Sequence, residues 1–283
     1  MTNLSIEGKP TMTAKRRLKR HYWAGITSSV KHVMNPISEE GASHAFKAHF
    51  YLAGPKIQSA FDEFSNHPTG KRLLKDRPNL GDHLAAVASA KDAPEGSFAE
   101  AYRGFLEVDT NAILDAGKLA SLAHVDLLAE ELGWDEDIAW FVERMTHTHD
   151  LYHVLAGYGP TLANEGGVIF FTMSHSRMRR GLLTTFLWTF RPSVGWRRWH
   201  RYLQEGWQRG VETAAAGQLH AAYYEELLPL PLEEVRRELG IPGHTEPAGG
   251  TSDWFNMKRY RRFLSGYGAM DKDEAEGIMA LNR

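Results

Sequence analysis

The chain has 283 residues and an ordinary share of apolar side chains, so it is long enough to bury a core of its own. A formal net charge of -2 gives no global reason to bind nucleic acid. There is no cysteine, which excludes disulfides, thiolate metal sites and a cysteine nucleophile.

The N-terminal residues 1–41 read as a basic, mobile extension. Their run Lys15-Arg16-Arg17-Leu18-Lys19-Arg20 suits either a solvated tail or contact with an anionic membrane surface. From there the pattern is helical nearly throughout, and strand-like alternation is scarce. Apolar faces recur at helical spacing over residues 42–65, 79–89, 98–106 and 112–132, the last stopped by Gly133. A helix over 134–156 follows, with Asp135, Glu136 and Asp137 in its first turn, where the helix dipole favours carboxylates. It ends at Gly157, ahead of Gly159-Pro160.

Beyond Pro160 the pattern predicts a helix through about residue 188, a long one over 195–227, and a short one over 232–239 with Gly240 as its stop. The most apolar stretch, 181–190, is about half the ~20 residues that span a bilayer. It reads as a buried helix, with a membrane-dipping helix as the alternative. Gly and Pro cluster after Gly240, so 242–283 reads as a linker with a helical extension. The expectation is an all-α fold: a single multi-helix domain over 42–241, with peripheral extensions at both ends.

The chemistry concentrates at the end of the helix over 134–156. With His149 at 0° on a helical wheel, His153 falls at about 40°, and Met145, Val142 and Ile138 share that inward stripe. Asp150 falls at the stripe's edge. His147 falls on the opposite face, expected to meet water, and Arg144 on an outer face, expected to form a surface ion pair. Two imidazoles at i and i+4 can bind one ion. Asp150 can add an oxygen ligand or hold a histidine from outside. The glycines at 157 and 159 let the chain reverse, so Glu165 can face the two histidines from the next segment. Nitrogen and oxygen donors of this kind suit zinc, and also manganese or iron, with magnesium less natural.

The string His149-Asp150-Leu151-Tyr152-His153, followed after eleven intervening residues by Glu165, resembles the signature of the coenzyme-Q biosynthesis protein four family (Coq-four). Three further stretches resemble family elements: residues 70–78, residues 96–106, and Tyr224-Glu225-Glu226 with residues 232–241. The resemblance runs in order over about residues 45–241. Ala99 and Asn164 stand where the family has glycine.

The resemblance implies an all-helical homodimer, peripheral on the membrane where ubiquinone is made. That is the inner face of a bacterial cell membrane, on the cytoplasmic side, or the matrix face of the mitochondrial inner membrane. It implies His149, Asp150, His153 and Glu165 as metal ligands and catalytic residues, with zinc first and iron, manganese or magnesium as alternatives. It also implies a carbon-carbon lyase that removes the carboxyl group from carbon 1 of a polyprenylated hydroxybenzoate, coupled to hydroxylation there. Its partners would be the polyprenylated aromatic lipid, the membrane surface and other quinone biosynthesis proteins, and not nucleic acid.

A polyprenyl tail needs an apolar groove, for which the candidates are Tyr152, Phe170, Phe171 and Phe186, with Arg177 for a head group. The competing functions are a non-catalytic polyprenyl-lipid-binding organiser of a quinone-synthesis complex and an HD-type phosphohydrolase. The second lacks its downstream ligand, since no aspartate occurs between Asp150 and Asp253.

Overall fold

The computed structural model describes residues 14–34, 39–108, 124–159, 162–178, 187 and 196–241. These residues are helical, and among them there is no strand, only one isolated bridge between Ser97 and Pro231. In chain order the helices are α1 (Ala14–Met34), α2 (Glu39–Ala53), α3 (Pro55–Asn66), α4 (Pro68–Asp76), α5 (Leu80–Ser89) and α6 (Phe98–Val108). Then come α7 (Val125–Leu132), α8 (Glu136–His147), α9 (His149–Ala156), α10 (Leu162–His175) and α11 (Trp196–Ala216). A 3-10 turn (Leu219–Ala221), α12 (Tyr224–Leu227) and α13 (Leu232–Glu238) close the described chain.

The all-α expectation holds, with changes at helix ends. The helix expected over 42–65 is two, α2 and α3, because Gly54 takes a left-handed φ of 48° and Pro55 starts the next. The helix expected over 134–156 is α8 and α9, joined at Thr148. There the hydroxyl donates back to the Met145 carbonyl (2.7 Å), a bond that competes with the ladder and bends helices. The helix expected over 195–227 ends at Ala216, where Gly217 follows. Residues 14–34, read as part of a basic extension, form α1, which packs along α2. The stretch 181–190 lies outside the described residues except for Leu187, and 242–283 lies outside them entirely.

Two apolar clusters make the core. One gathers Tyr102, Leu151, Tyr152, Leu155, Phe171 and Val235. The other gathers Phe50, Ile57, Phe64, Leu73, Phe141 and Val142. The α8–α9 pair joins them, α8 feeding the second and α9 the first. It is therefore covered nearly all round: from Thr146 to Ala156, only His149 is not fully buried. A helix wrapped on every side buries polar residues along with apolar ones.

That wrapping corrects two expectations. His147 is buried (5% exposed) because α5 covers its face, its ring lying against Gly81. Arg144 is also buried, not on the surface. Its guanidinium makes a two-pronged pair with Glu225 (2.7 and 2.8 Å) and reaches the Ala222 carbonyl (3.3 Å). The wheel ranks faces by polarity, whereas burial depends on what later segments bring alongside.

The last carbonyls of α9 receive donors from elsewhere in the chain as well as from the turn that follows. Arg209 of α11 donates to Ala156 O (2.7 Å), and Arg236 of α13 donates to Val154 O and Leu155 O (2.8 and 2.9 Å). The helix stops at Gly157, left-handed at φ 73°, with Tyr158 N–H returned to the His153 carbonyl (2.8 Å). Two distant helices thus clamp the turn from which α10 departs. Along α11, Gly206 and Gly210 lie against the α10 backbone at Gly167 and Phe171, where no Cβ would fit.

Candidate metal centre

One helical turn separates His149 and His153 on α9, and their ring centroids are 5.0 Å apart. Glu165 enters from the first turn of α10, a place where the helix dipole favours a carboxylate. Its Oε2 lies 3.3 Å from His149 Nε2, and its Oε1 3.1 Å from His153 Nε2. One ligand atom from each of the three lies within 4.8 Å of the others, the single such group among the described residues.

The orientation of His153 tests whether a cation fits. Its Nδ1 faces the Tyr158 carbonyl at 3.1 Å, and a carbonyl can only accept, so the ring proton sits there. Nε2 then carries a lone pair. That atom is buried, has no hydrogen-bond partner, and faces the Glu165 carboxylate. Two acceptors turned toward each other repel unless something positive lies between them.

Burial would raise the Glu165 carboxyl, yet positive charge at the His153 and His149 positions outweighs it and holds the group well below the usual range, so Glu165 is a carboxylate wherever a cation faces it. Burial likewise opposes charge on His149, yet Glu165 and Asp150 outweigh it and push that imidazole upward. The residues present therefore fit a divalent cation. The His153 side chain is fully buried while those of His149 and Glu165 are 20% and 37% exposed, so the centre opens on the side of the latter two.

The structure brings together three of the four expected ligands. Asp150 is buried beside them but is not one of the group; its charge acts on His149. Among the expected substrate contacts, Tyr152 and Phe171 are core residues. The Tyr152 hydroxyl is bonded to His220 Nδ1 (3.0 Å). Phe170 is half-buried on α10. Arg177 is exposed and paired with Glu63 (3.4 Å), at the opposite end of α10 from Glu165. Arg177 follows the last residue of that helix by two positions, whereas Glu165 lies in its first turn. Phe186 lies outside the described residues.

Sequence reasoning missed Phe105 of α6, whose ring stacks on His153 at 5.1 Å between centroids. Its helical face was legible, but not its partner. Sequence reasoning also missed His32 of α1 and His49 of α2, which lie within electrostatic reach of Glu165 and His149 respectively. Their segments carry no motif at metal-ligand spacing, so no local signal pointed to them.

The fold and site define an all-helical protein whose central helix, with the turn after it, gathers two histidines and a glutamate able to hold a metal ion. The family model described as Coenzyme Q (ubiquinone) biosynthesis protein Coq4 matches residues 18–244, and the chain belongs to that family. It is 24% identical over 181 residues to the mitochondrial ubiquinone biosynthesis protein COQ4 of Ajellomyces dermatitidis, covering 64% of this chain and 59% of that one. It is 27% identical over 187 residues to the mitochondrial COQ4 homolog of Bos taurus, covering 66% and 64%. The chain thus spans about three fifths of the length of these curated relatives.

Among solved structures, a Nostoc punctiforme protein assigned to ubiquinone biosynthesis shares the fold with a TM-score of 0.51 at 20% identity. That match covers 78% of this chain and 98% of the other. The match to the family model begins inside α1. No helix among the described residues is long and apolar enough to cross a membrane.

Proposed function

We propose that this member of the ubiquinone biosynthesis family is a metal-dependent carbon-carbon lyase. It removes the carboxyl group from carbon 1 of a polyprenylated hydroxybenzoate, coupled to hydroxylation at that carbon. The observation that carries this reading is the buried His153 lone pair turned toward the partly exposed Glu165 carboxylate. Two imidazoles and one carboxylate leave coordination positions open, as catalytic zinc and oxygen-using iron sites do. Zinc is the metal proposed, with iron, manganese and magnesium as alternatives that metal analysis separates.

A bound divalent ion would supply positive charge that orients the substrate carboxylate. The protein residues do the rest. His149, His153 and Glu165 hold the ion, and Asp150 strengthens His149 as a donor from outside. Tyr158 fixes the His153 tautomer through its carbonyl. The stacked Phe105 keeps water from the buried side of His153. The carbon-carbon bond breaks to release carbon dioxide, a carbon-oxygen bond forms to an oxygen atom from water, and the two electrons and two protons released pass to O₂, which leaves as hydrogen peroxide.

The working location is the membrane surface that holds the lipid, alongside other quinone biosynthesis proteins and as a homodimer. On α1, the exposed Trp23, Val30 and Met34, beside exposed Arg20 and Lys31, suit that surface. In a bacterial host this is the cytoplasmic face of the cell membrane.

The test is mass spectrometry of quinone-pathway lipids in a strain lacking the gene, re-expressing either the native protein or His149→Ala. Accumulation of a precursor still carrying its ring carboxylate, cleared only by the native protein, supports the lyase. Clearance by His149→Ala as well would turn the reading to a non-catalytic lipid-binding organiser. An unchanged lipid profile would remove the pathway altogether.

A further inference from the structure

The N-terminal helices bring two histidines toward the centre that the motif of α9 and α10 does not include. His32 of α1 is tied across to α2, its Nδ1 facing the Gly41 carbonyl at 2.9 Å, and it lies within electrostatic reach of both His49 and Glu165. His49 of α2 faces the carbonyl of Ala45, one turn back, with its Nδ1 at 2.7 Å. A carbonyl only accepts, so the His49 proton is on Nδ1 and Nε2 holds a free lone pair. That Nε2 is shielded from water and no protein group donates to it, while the ring interacts electrostatically with His149. Burial pushes the His49 imidazole down to about 4, so the ring is neutral and the lone pair available at neutral pH.

His49 does not join the group whose ligand atoms all lie within 4.8 Å of one another. Two donors on one ion sit at about 2.0–2.2 Å from it, which limits their separation to about 4.4 Å. His49 therefore stands too far out to share the ion. A buried acceptor without a donor is costly in the empty protein and is repaid when a ligand supplies the donor.

We propose that His49 is a substrate-binding residue of this centre, its Nε2 accepting the hydrogen bond of a phenolic hydroxyl on an aromatic acid whose carboxylate lies at the metal. The inference rests on the lyase reading for its ligand class, and it adds a residue from outside the motif. Such a residue recognises the hydroxyl and leaves the ion's affinity alone.

The experiment uses the full chain loaded with cobalt(II), whose visible absorption reports both metal coordination and ligand entry. The probes are 4-hydroxybenzoate and 4-methoxybenzoate, alike in shape except that only the first can donate. The native protein should bind the hydroxy acid about tenfold more tightly, the worth of one hydrogen bond. His49→Leu should bind cobalt with unchanged stoichiometry and spectrum, and bind the two acids equally. His49→Gln, which keeps an acceptor oxygen, should recover part of the preference.

If His49→Leu keeps the native preference, the inference fails and the lyase reading stands. If His49→Leu loses cobalt, His49 is a ligand and the inference also fails. If the native protein binds neither acid, both the inference and the substrate class proposed for the lyase fall together.

Discussion

Two groups of buried histidines lie on different faces of the α8–α9 helix pair, and they are built on opposite principles. At His220 itself both ring nitrogens are paired. Ser176 Oγ donates to the Thr172 carbonyl (2.7 Å) and receives His220 Nε2–H (2.6 Å), which leaves His220 Nδ1 to accept from the Tyr152 hydroxyl (3.0 Å). Neighbouring His175 accepts the Leu219 N–H at Nε2 (3.0 Å) while its Nδ1 is buried without a hydrogen bond, and the Arg144 charge is matched by Glu225. Burial alone pushes His220 to about 4, and burial first, with neighbouring positive groups, pushes His175 to about 3. Both stay neutral and structural. Around His153 the bonds do not close: lone pair faces carboxylate, and the shifts of His149 and Glu165 run toward charge. Burial of a histidine is therefore not what marks a site. Convergence of unmatched acceptors is.

The sharpest way to break this contrast is to remove an acceptor from each side. His153→Ala should leave the purified protein without stoichiometric metal by elemental analysis, whereas His220→Ala should keep its metal. Equal retention in both would reduce the triad to ordinary core.

Next in size is the matched pair. Arg144→Met strands Glu225, whose side chain is only 10% exposed, and should cost about 3–5 kcal/mol in chemical denaturation. Adding Glu225→Leu should restore most of that, and a double variant as unstable as the single one would show that the pair is not closed on itself.

Asp150→Asn sharpens the boundary of the triad. An outer residue should weaken metal affinity about 10–100-fold in calorimetric titration, and complete loss would make Asp150 a ligand.

The neutral histidines predict a pH dependence. Their folded pKa values lie below the ordinary 6.5, so on acidification the unfolded chain takes up protons first. Stability should be full above about pH 6.5 and fall as pH drops toward 4. His32 and His49, each also about 4, add to the same window. His220→Gln should flatten the melting temperature against pH over that range; an unchanged slope would mean His220 is not held neutral.

The smallest effect is expected at Gly157. Alanine there must adopt a left-handed φ near 73° and should cost about 1–2 kcal/mol, read by denaturant midpoint.

Much of this was legible from the residues alone. Helical periodicity, the acidic first turn of α8, the stop at Gly157 and the shared face of His149 and His153 all follow from local geometry, because a helix fixes relative directions within a few residues. The clustering of Glu165 with them was legible only as a reversal permitted by two glycines, and as a resemblance. What the tertiary structure decided is whatever depends on segments far apart in the chain. Arg209 and Arg236 clamp the end of α9 from 53 and 82 residues away, α5 buries His147, and Glu225 draws Arg144 inward. Phe105 stacks on His153, and His49 comes within electrostatic reach of His149, from helices with no metal motif of their own. Sequence spacing sets which donors share a face of one helix; only packing sets what stands opposite that face, because burial and partnership belong to surfaces that meet after the chain has folded.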